Sequence, residues 1–156
     1  MSMQTSIIYG YGFEVYDVDD EKLIEFIKNH KETFCKSDEE KELFEELLKY
    51  EPDDYCLYDL FEELDVTCDV TGMAGFGVAI SNIISRETGI RVQYEIGCGD
   101  CGSVPSVLFS EQYPWNYNEK EKNLTVDSLK ELLIPYVEEL GLSKEVLGGL
   151  ADEYYG

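Results

Sequence analysis

SDEEKELFEELLKYEPDDYCLYDLFEELDVTCD, Ser37 to Asp69, is the stretch on which the fold turns. It holds 14 Asp and Glu against two Lys, a charge density that on its own favours disorder. The apolar residues oppose that. Leu43, Phe44, Leu47 and Leu48 recur at helical spacing, and so do Cys56, Leu57, Leu60, Phe61 and Leu64. Two amphipathic helices are expected, apolar inside and densely negative outside. Ser37-x-x-Glu40 fits a capping box, with Asp38 to Glu40 at the positive end of the helix dipole. The first helix should stop near Tyr50. Pro52 suits the first turn of the second, which should run to about Leu64.

Outward from this centre, the whole chain of 156 residues suits one domain with a real core. Its acidic helical half spans 17–70, and a hairpin with C-terminal helices occupies 71–156. The formal charge is −22, and residues 1–70 carry most of the excess. Such a field repels nucleic acid and anionic membranes and attracts basic surfaces. Direct binding of DNA or RNA is disfavoured, because it needs clustered Lys and Arg. No apolar run approaches the ~20 residues of a membrane span. The opening MSMQTS lacks a basic start followed by an apolar run, and the five Cys are odd in number. A cytoplasmic location with free thiols is expected.

Thr5 to Val15 is β-branched and aromatic and reads as a strand. Gly10 and Gly12 within it mark a bulge or the close approach of another backbone. Asp17 or Asp19 can cap a helix running to about His30, with Leu23, Ile24 and Ile27 as its apolar stripe. Residues 78–87 suit either helix or strand. Ile90 to Ile96 and Val104 to Ser110 read as an antiparallel hairpin with a long glycine-rich loop at 98–103. Gln112 to Asn118 reads as an aromatic loop. Thr125 to Leu140 is the clearest helix of the second half, and Pro135 should kink or divide it. A short helix should follow Ser143. The expected class is α+β: a small antiparallel sheet, from the N-terminal strand plus the hairpin near 90–110, packed with about five helices.

Four features invite a chemical role. Gly72, Gly75 and Gly77 loosely imitate a dinucleotide loop, but their order is G-x-x-G-x-G, the reverse of the usual pattern. A joint that lets a helix pack closely explains them as well. Cys98-Gly-Asp-Cys101 could be half a zinc site, completed by Cys68 and either Cys56 or His30, or a redox pair. It lacks a second C-x-x-C, so a tight turn with incidental thiols suffices. His30 is the single histidine, and a helix C-terminus accounts for it. Calcium loops are unsupported, because the acidic runs lack the D-x-[DN]-x-[DN]-G spacing. No cofactor and no catalytic residue is assigned.

The acidic helices remain. A small domain needs only about 2 to 8 net charges for solubility, and a charge of −22 costs stability through self-repulsion. Capping explains Asp38 to Glu40. It does not explain Glu42, Glu45, Glu46, Asp59, Glu62 and Glu63, which fall on outer faces. With Tyr55 and Tyr58 as contact anchors, these are the expected partner-binding residues.

In size, acidity and the DEE, EE and DD clusters of residues 38–63, the chain resembles small phage or mobile-element inhibitors that mimic DNA. Anti-CRISPR and anti-restriction proteins are of this kind, and acidic immunity proteins that neutralise nuclease toxins are similar in composition. The resemblance is one of type, with no shared motif and no residue roles carried over. It implies a non-enzymatic inhibitor, in the cytoplasm of a bacterial host, competing with nucleic acid for a basic groove. Two alternatives are a small enzyme or ligand- or metal-binding domain centred on residues 71–105, and a phage structural adaptor.

Overall fold

The computed structural model describes residues 10–50, 57–99, 102–110 and 114–149. Within them the chain forms an α+β fold in the order β1 (Tyr11–Glu14), α1 (Asp20–Asn29), α2 (Lys31–Phe34), α3 (Asp38–Leu48), α4 (Leu57–Glu63), α5 (Val78–Thr88), β2 (Val92–Gly99), β3 (Gly102–Phe109), α6 (Val126–Glu139) and β4 (Gly148–Gly149). The sheet is antiparallel with strand order β2-β3-β1-β4. No helix among the described residues is long and apolar enough to cross a membrane.

The sheet holds together through one tight approach. Gly12 lies opposite Leu108 in the β1–β3 ladder. A Cβ at Gly12 would sit 2.1 Å from the Val107 carbonyl oxygen and 2.5 Å from Leu108 Cα, so only glycine fits. Tyr11 and Phe13 are both buried. Residues 5–9 of the expected first strand lie outside the described residues. The hairpin differs from expectation. Its ladder continues to the Gly99–Gly102 pair and leaves only residues 100 and 101 between the strands, in place of a long loop. Glycines at 99 and 102 signalled a loop, but tertiary pairing overrides local propensity. β4, which adds two residues to the free edge of β1, had no sequence signal beyond a Gly-Gly pair.

Residues 78–87 are helical. α5 is the central helix of the core: Val78, Ala79, Ile80, Ser81, Asn82, Ile83 and Ile84 are all buried. Because residues 78–84 are buried on every side, polar Ser81 and Asn82 included, the helix lacks the strong two-faced pattern by which helices are recognised. Gly89 ends it in the left-handed region at φ 78°. Ser81 returns its hydroxyl to the Val78 carbonyl at 3.0 Å, which satisfies a polar group inside the core.

α3 starts as expected. The Ser37 hydroxyl accepts from the Glu40 amide at 3.1 Å, and the Glu40 carboxylate accepts from the Ser37 amide at 3.0 Å. Leu43, Phe44 and Leu47 are buried, but Leu48 is 57% exposed. The inward stripe is 40, 43, 44 and 47, and Leu48 falls one step past it. Glu40 takes the inward place at 2% exposure. α4 buries Leu57, Leu60 and Phe61, and Asp65 in the left-handed region (φ 56°) follows its end. The expected start near Pro52 lies outside the described residues.

α1 is flanked by Asp19 at its N-terminus and buries Leu23, Phe26 and Ile27. α6 opens on a reciprocal Thr125–Ser128 box and buries Leu129, Leu133 and Val137. Pro135 lies within it without dividing it. Pro135 is exposed, so the missing amide falls on the solvent side of the helix. Ser143 caps only a single 3₁₀ turn, Lys144–Val146. The aromatic segment contributes another 3₁₀ turn, Pro114–Asn116, and Tyr117 stacks on Phe109.

Candidate functional site: an acidic groove between two helices

α3 and α4 present i,i+4 carboxylate pairs toward one another. Glu42 and Glu46 on α3, with Asp59 and Glu63 on α4, line an open groove of about 570 Å³. Its apolar lining is Leu60 and Leu64, again an i,i+4 pair. Leu60 is nearly fully buried and Leu64 half-buried. The result is a carboxylate-rimmed trough with a greasy floor. Such a shape accepts the methylene stem of a Lys or Arg on the leucines and its charged head among the carboxylates.

Of the expected partner-binding residues, Glu42, Glu46, Asp59 and Glu63 come together in this groove. Glu45 and Glu62 are exposed but do not line it. Tyr55 lies outside the described residues, as does the side chain of Tyr58. Leu60 and Leu64 were legible only as core stripe. Their second role, as floor, depends on how the helices are spaced, which no periodicity encodes.

The groove is poor in cations among the described residues. Among the described residues, only Glu46 of its four acids meets one, Lys49 at 3.3 Å, and that lysine is highly exposed. Such a pair contributes little. The chain's two Arg and single His serve the packing of other elements. Arg86 bridges Glu40 at 2.8 Å and Asp69 at 2.7 Å, and also donates to the carbonyls of Thr33 and Phe34. Asn82 completes this cluster, donating to the Thr67 carbonyl at 2.9 Å and accepting from the Asp69 amide at 2.8 Å. Burial alone would lower the Arg86 pKa, but Asp69 and Glu40 outweigh it and push it up, so the guanidinium stays charged. Arg91 pairs with the buried Glu121, whose carboxylate also accepts the amides of Arg91 and Asn118. Burial opposes ionisation of Glu121, yet these donors hold its pKa down.

The other candidates are placed as follows. The glycine loop packs closely on Tyr94: a Cβ at Gly75 would lie 2.5 Å from the Tyr94 ring, and one at Gly77 would lie 2.6 Å from it. The fully buried Tyr94 ring therefore fills the space that the glycines leave. The flanking topology is also not a parallel βαβ unit, because the segment before α5 makes only an isolated bridge, Thr67 to Ala74. Cys68 is buried and accepts a hydrogen bond from the Ser81 hydroxyl at 3.6 Å. Burial raises its pKa, but donors led by the Thr71 hydroxyl outweigh that and bring it down. Cys98 pairs in register with Ser103 in the hairpin. Its side chain, Cys101 and Cys56 lie outside the described residues. No cluster of three or more potential metal ligands occurs among the described residues.

The chain matches no protein-family model, and neither curated proteins nor solved structures give a match. What the fold and site define is an α+β protein with an acidic inter-helical groove. Its function is therefore argued from that groove.

Proposed function

We propose that the protein is a non-enzymatic inhibitor whose α3–α4 face occupies the basic groove of a nucleic-acid-binding enzyme and competes there with DNA or RNA. The observation that carries this reading is the groove itself: four carboxylates on two core-anchored helices, the first of them capped, with one exposed lysine as counter-charge among the described residues. Like charges at i,i+4 each cost about 0.2–0.5 kcal/mol. The fold tolerates that cost while placing both of its arginines elsewhere. A basic partner surface would offset it. Rigid helices also spare the ordering entropy that a disordered acidic tail would lose on binding.

The reading is tested with the groove variant E42Q/E46Q/D59N/E63Q. Wild type and variant are immobilised, and bacterial lysate is passed over each. Proteins held by the wild type, released by added duplex DNA and absent from the variant support the proposal. Retention of the same proteins by the variant, or their indifference to DNA, refutes it. Binding should also weaken steeply with salt, as the Debye length falls from ~10 Å at 0.1 M to ~3 Å at 1 M.

A further inference from the structure

Three helix C-termini meet at one side chain. His30 is the residue after α1, and its ring packs on Phe26 at 4.6 Å between centroids. Its Nδ1 lies 2.7 Å from Glu87 Oε2, near the end of α5. Its Nε2 lies 2.9 Å from Glu139 Oε1, the last residue of α6. Both ring nitrogens therefore face carboxylate oxygens. Only the imidazolium can donate to both, because a neutral ring has one N–H and one lone pair. The two nitrogens point apart, so they cannot converge on a single metal ion.

The two carboxylates are not held equally. Glu87 also accepts from the Thr33 hydroxyl at 2.8 Å and from the Tyr136 hydroxyl at 2.9 Å. Apart from His30, the only partner of Glu139 among the described residues is the Asn29 side-chain amide, at 3.3 Å. The neighbouring cations are engaged elsewhere: Arg86 with Glu40 and Asp69, and Lys31 over the Phe44 ring. The charged and titratable groups facing the ring are thus Glu87 from α5 and Glu139 and Tyr136 from α6, with neutral Thr33 from α2.

We infer that His30 is a pH-operated latch: protonated, it ties the end of α6 to α1 and α5; deprotonated, it keeps Nδ1–H on Glu87 and releases Glu139. The released end is where the chain turns at Gly141 toward β4, whose two-residue ladder on β1 is a weak second anchor. The direction of titration agrees with the geometry. Burial alone would lower the His30 pKa, but the Glu139 and Glu87 carboxylates outweigh it and raise it above 6.5. Burial would raise the Glu87 pKa, but His30, Thr33 and Tyr136 hold it below 4.5. The His30 contribution is full below the unfolded value near 6.5 and is lost as pH rises through the higher folded value. The Glu87 contribution is full above 4.5 and is lost as pH falls through its depressed value. The latch is therefore tightest between 4.5 and 6.5.

A single histidine makes the test clean. The full chain, labelled with ¹⁵N, is titrated from pH 5 to 9 by NMR. The expected result is a His30 midpoint above 6.5, a neutral ring protonated at Nδ1, and amides of Leu140 to Leu142 shifting with the same midpoint. In E139Q, which removes a half-buried carboxylate, the midpoint should fall and those amides should stop following it. A midpoint at or below 6.5, an Nε2–H neutral ring, or α6 amides that ignore the titration would each overturn the latch. So would an E139Q variant that titrates like the wild type.

Discussion

Glu40 separates the acids that build the fold from those that serve the surface. Its side chain is 3% exposed and its carboxylate takes five donors: Arg86 Nη1 and Nη2, Asn82 Nδ2, and the amides of Lys36 and Ser37. Replacing it with Ala removes half of a buried ion pair, which costs about 3–5 kcal/mol because the guanidinium is left without its partner. Loss of the reciprocal cap adds about 1 kcal/mol. Asp69 still holds Arg86 and limits the damage, so about 3–5 kcal/mol is expected in total. At roughly 2–4 °C per kcal/mol for a chain of this size, the melting temperature should fall by about 6–20 °C. E39A, at an exposed acid next to Glu40 in sequence, should change stability by no more than about 0.5 kcal/mol. Urea unfolding followed by tryptophan fluorescence and circular dichroism measures both. An E40A change within 0.5 kcal/mol of E39A would refute the buried-staple assignment.

Other perturbations read different parts of the fold. G12A forces a Cβ into the Val107 carbonyl and should cost about 1–3 kcal/mol or more, or leave the chain unfolded by circular dichroism. G77A meets the buried Tyr94 ring at 2.6 Å and should cost about 1–3 kcal/mol in denaturant titrations. L43A, at a fully buried position, should cost about 2–5 kcal/mol by the same measurement. Neutralising the groove with E42Q/E46Q/D59N/E63Q should leave stability unchanged or raise it, most visibly at low salt, because like-charge repulsion is relieved and the exposed Glu46–Lys49 pair that is lost contributes little.

Much of the fold could be read from local chemistry. The Ser37–Glu40 box, the Thr125 start of α6 and the Gly12 approach each follow from residue types whose geometry admits few alternatives. The acidic rim of the groove could be read too, since Glu42, Glu46, Asp59 and Glu63 are among the acids that capping leaves unexplained. What stayed hidden depends on contacts far apart in sequence. Glu40 looked like one more helix-start acid, because Arg86, 46 residues on, supplies the reason for its burial. His30 looked like a dipole residue, because Glu87 and Glu139 arrive from two later helices. Leu60 and Leu64 looked like core alone, because the groove exists only once α3 and α4 are set side by side.

The central claim is that the α3–α4 groove binds a basic partner through its position as well as its charge. The most direct measurement compares two variants of equal net charge for binding a protein captured by the wild type. One is E42Q/E46Q/D59N/E63Q in the groove; the other is E21Q/E25Q/E119Q/E131Q, at exposed acids on other elements. The account predicts that the groove variant loses the partner and its competition with duplex DNA, while the distant variant keeps both. Equal loss in the two would reduce the effect to bulk charge and contradict it.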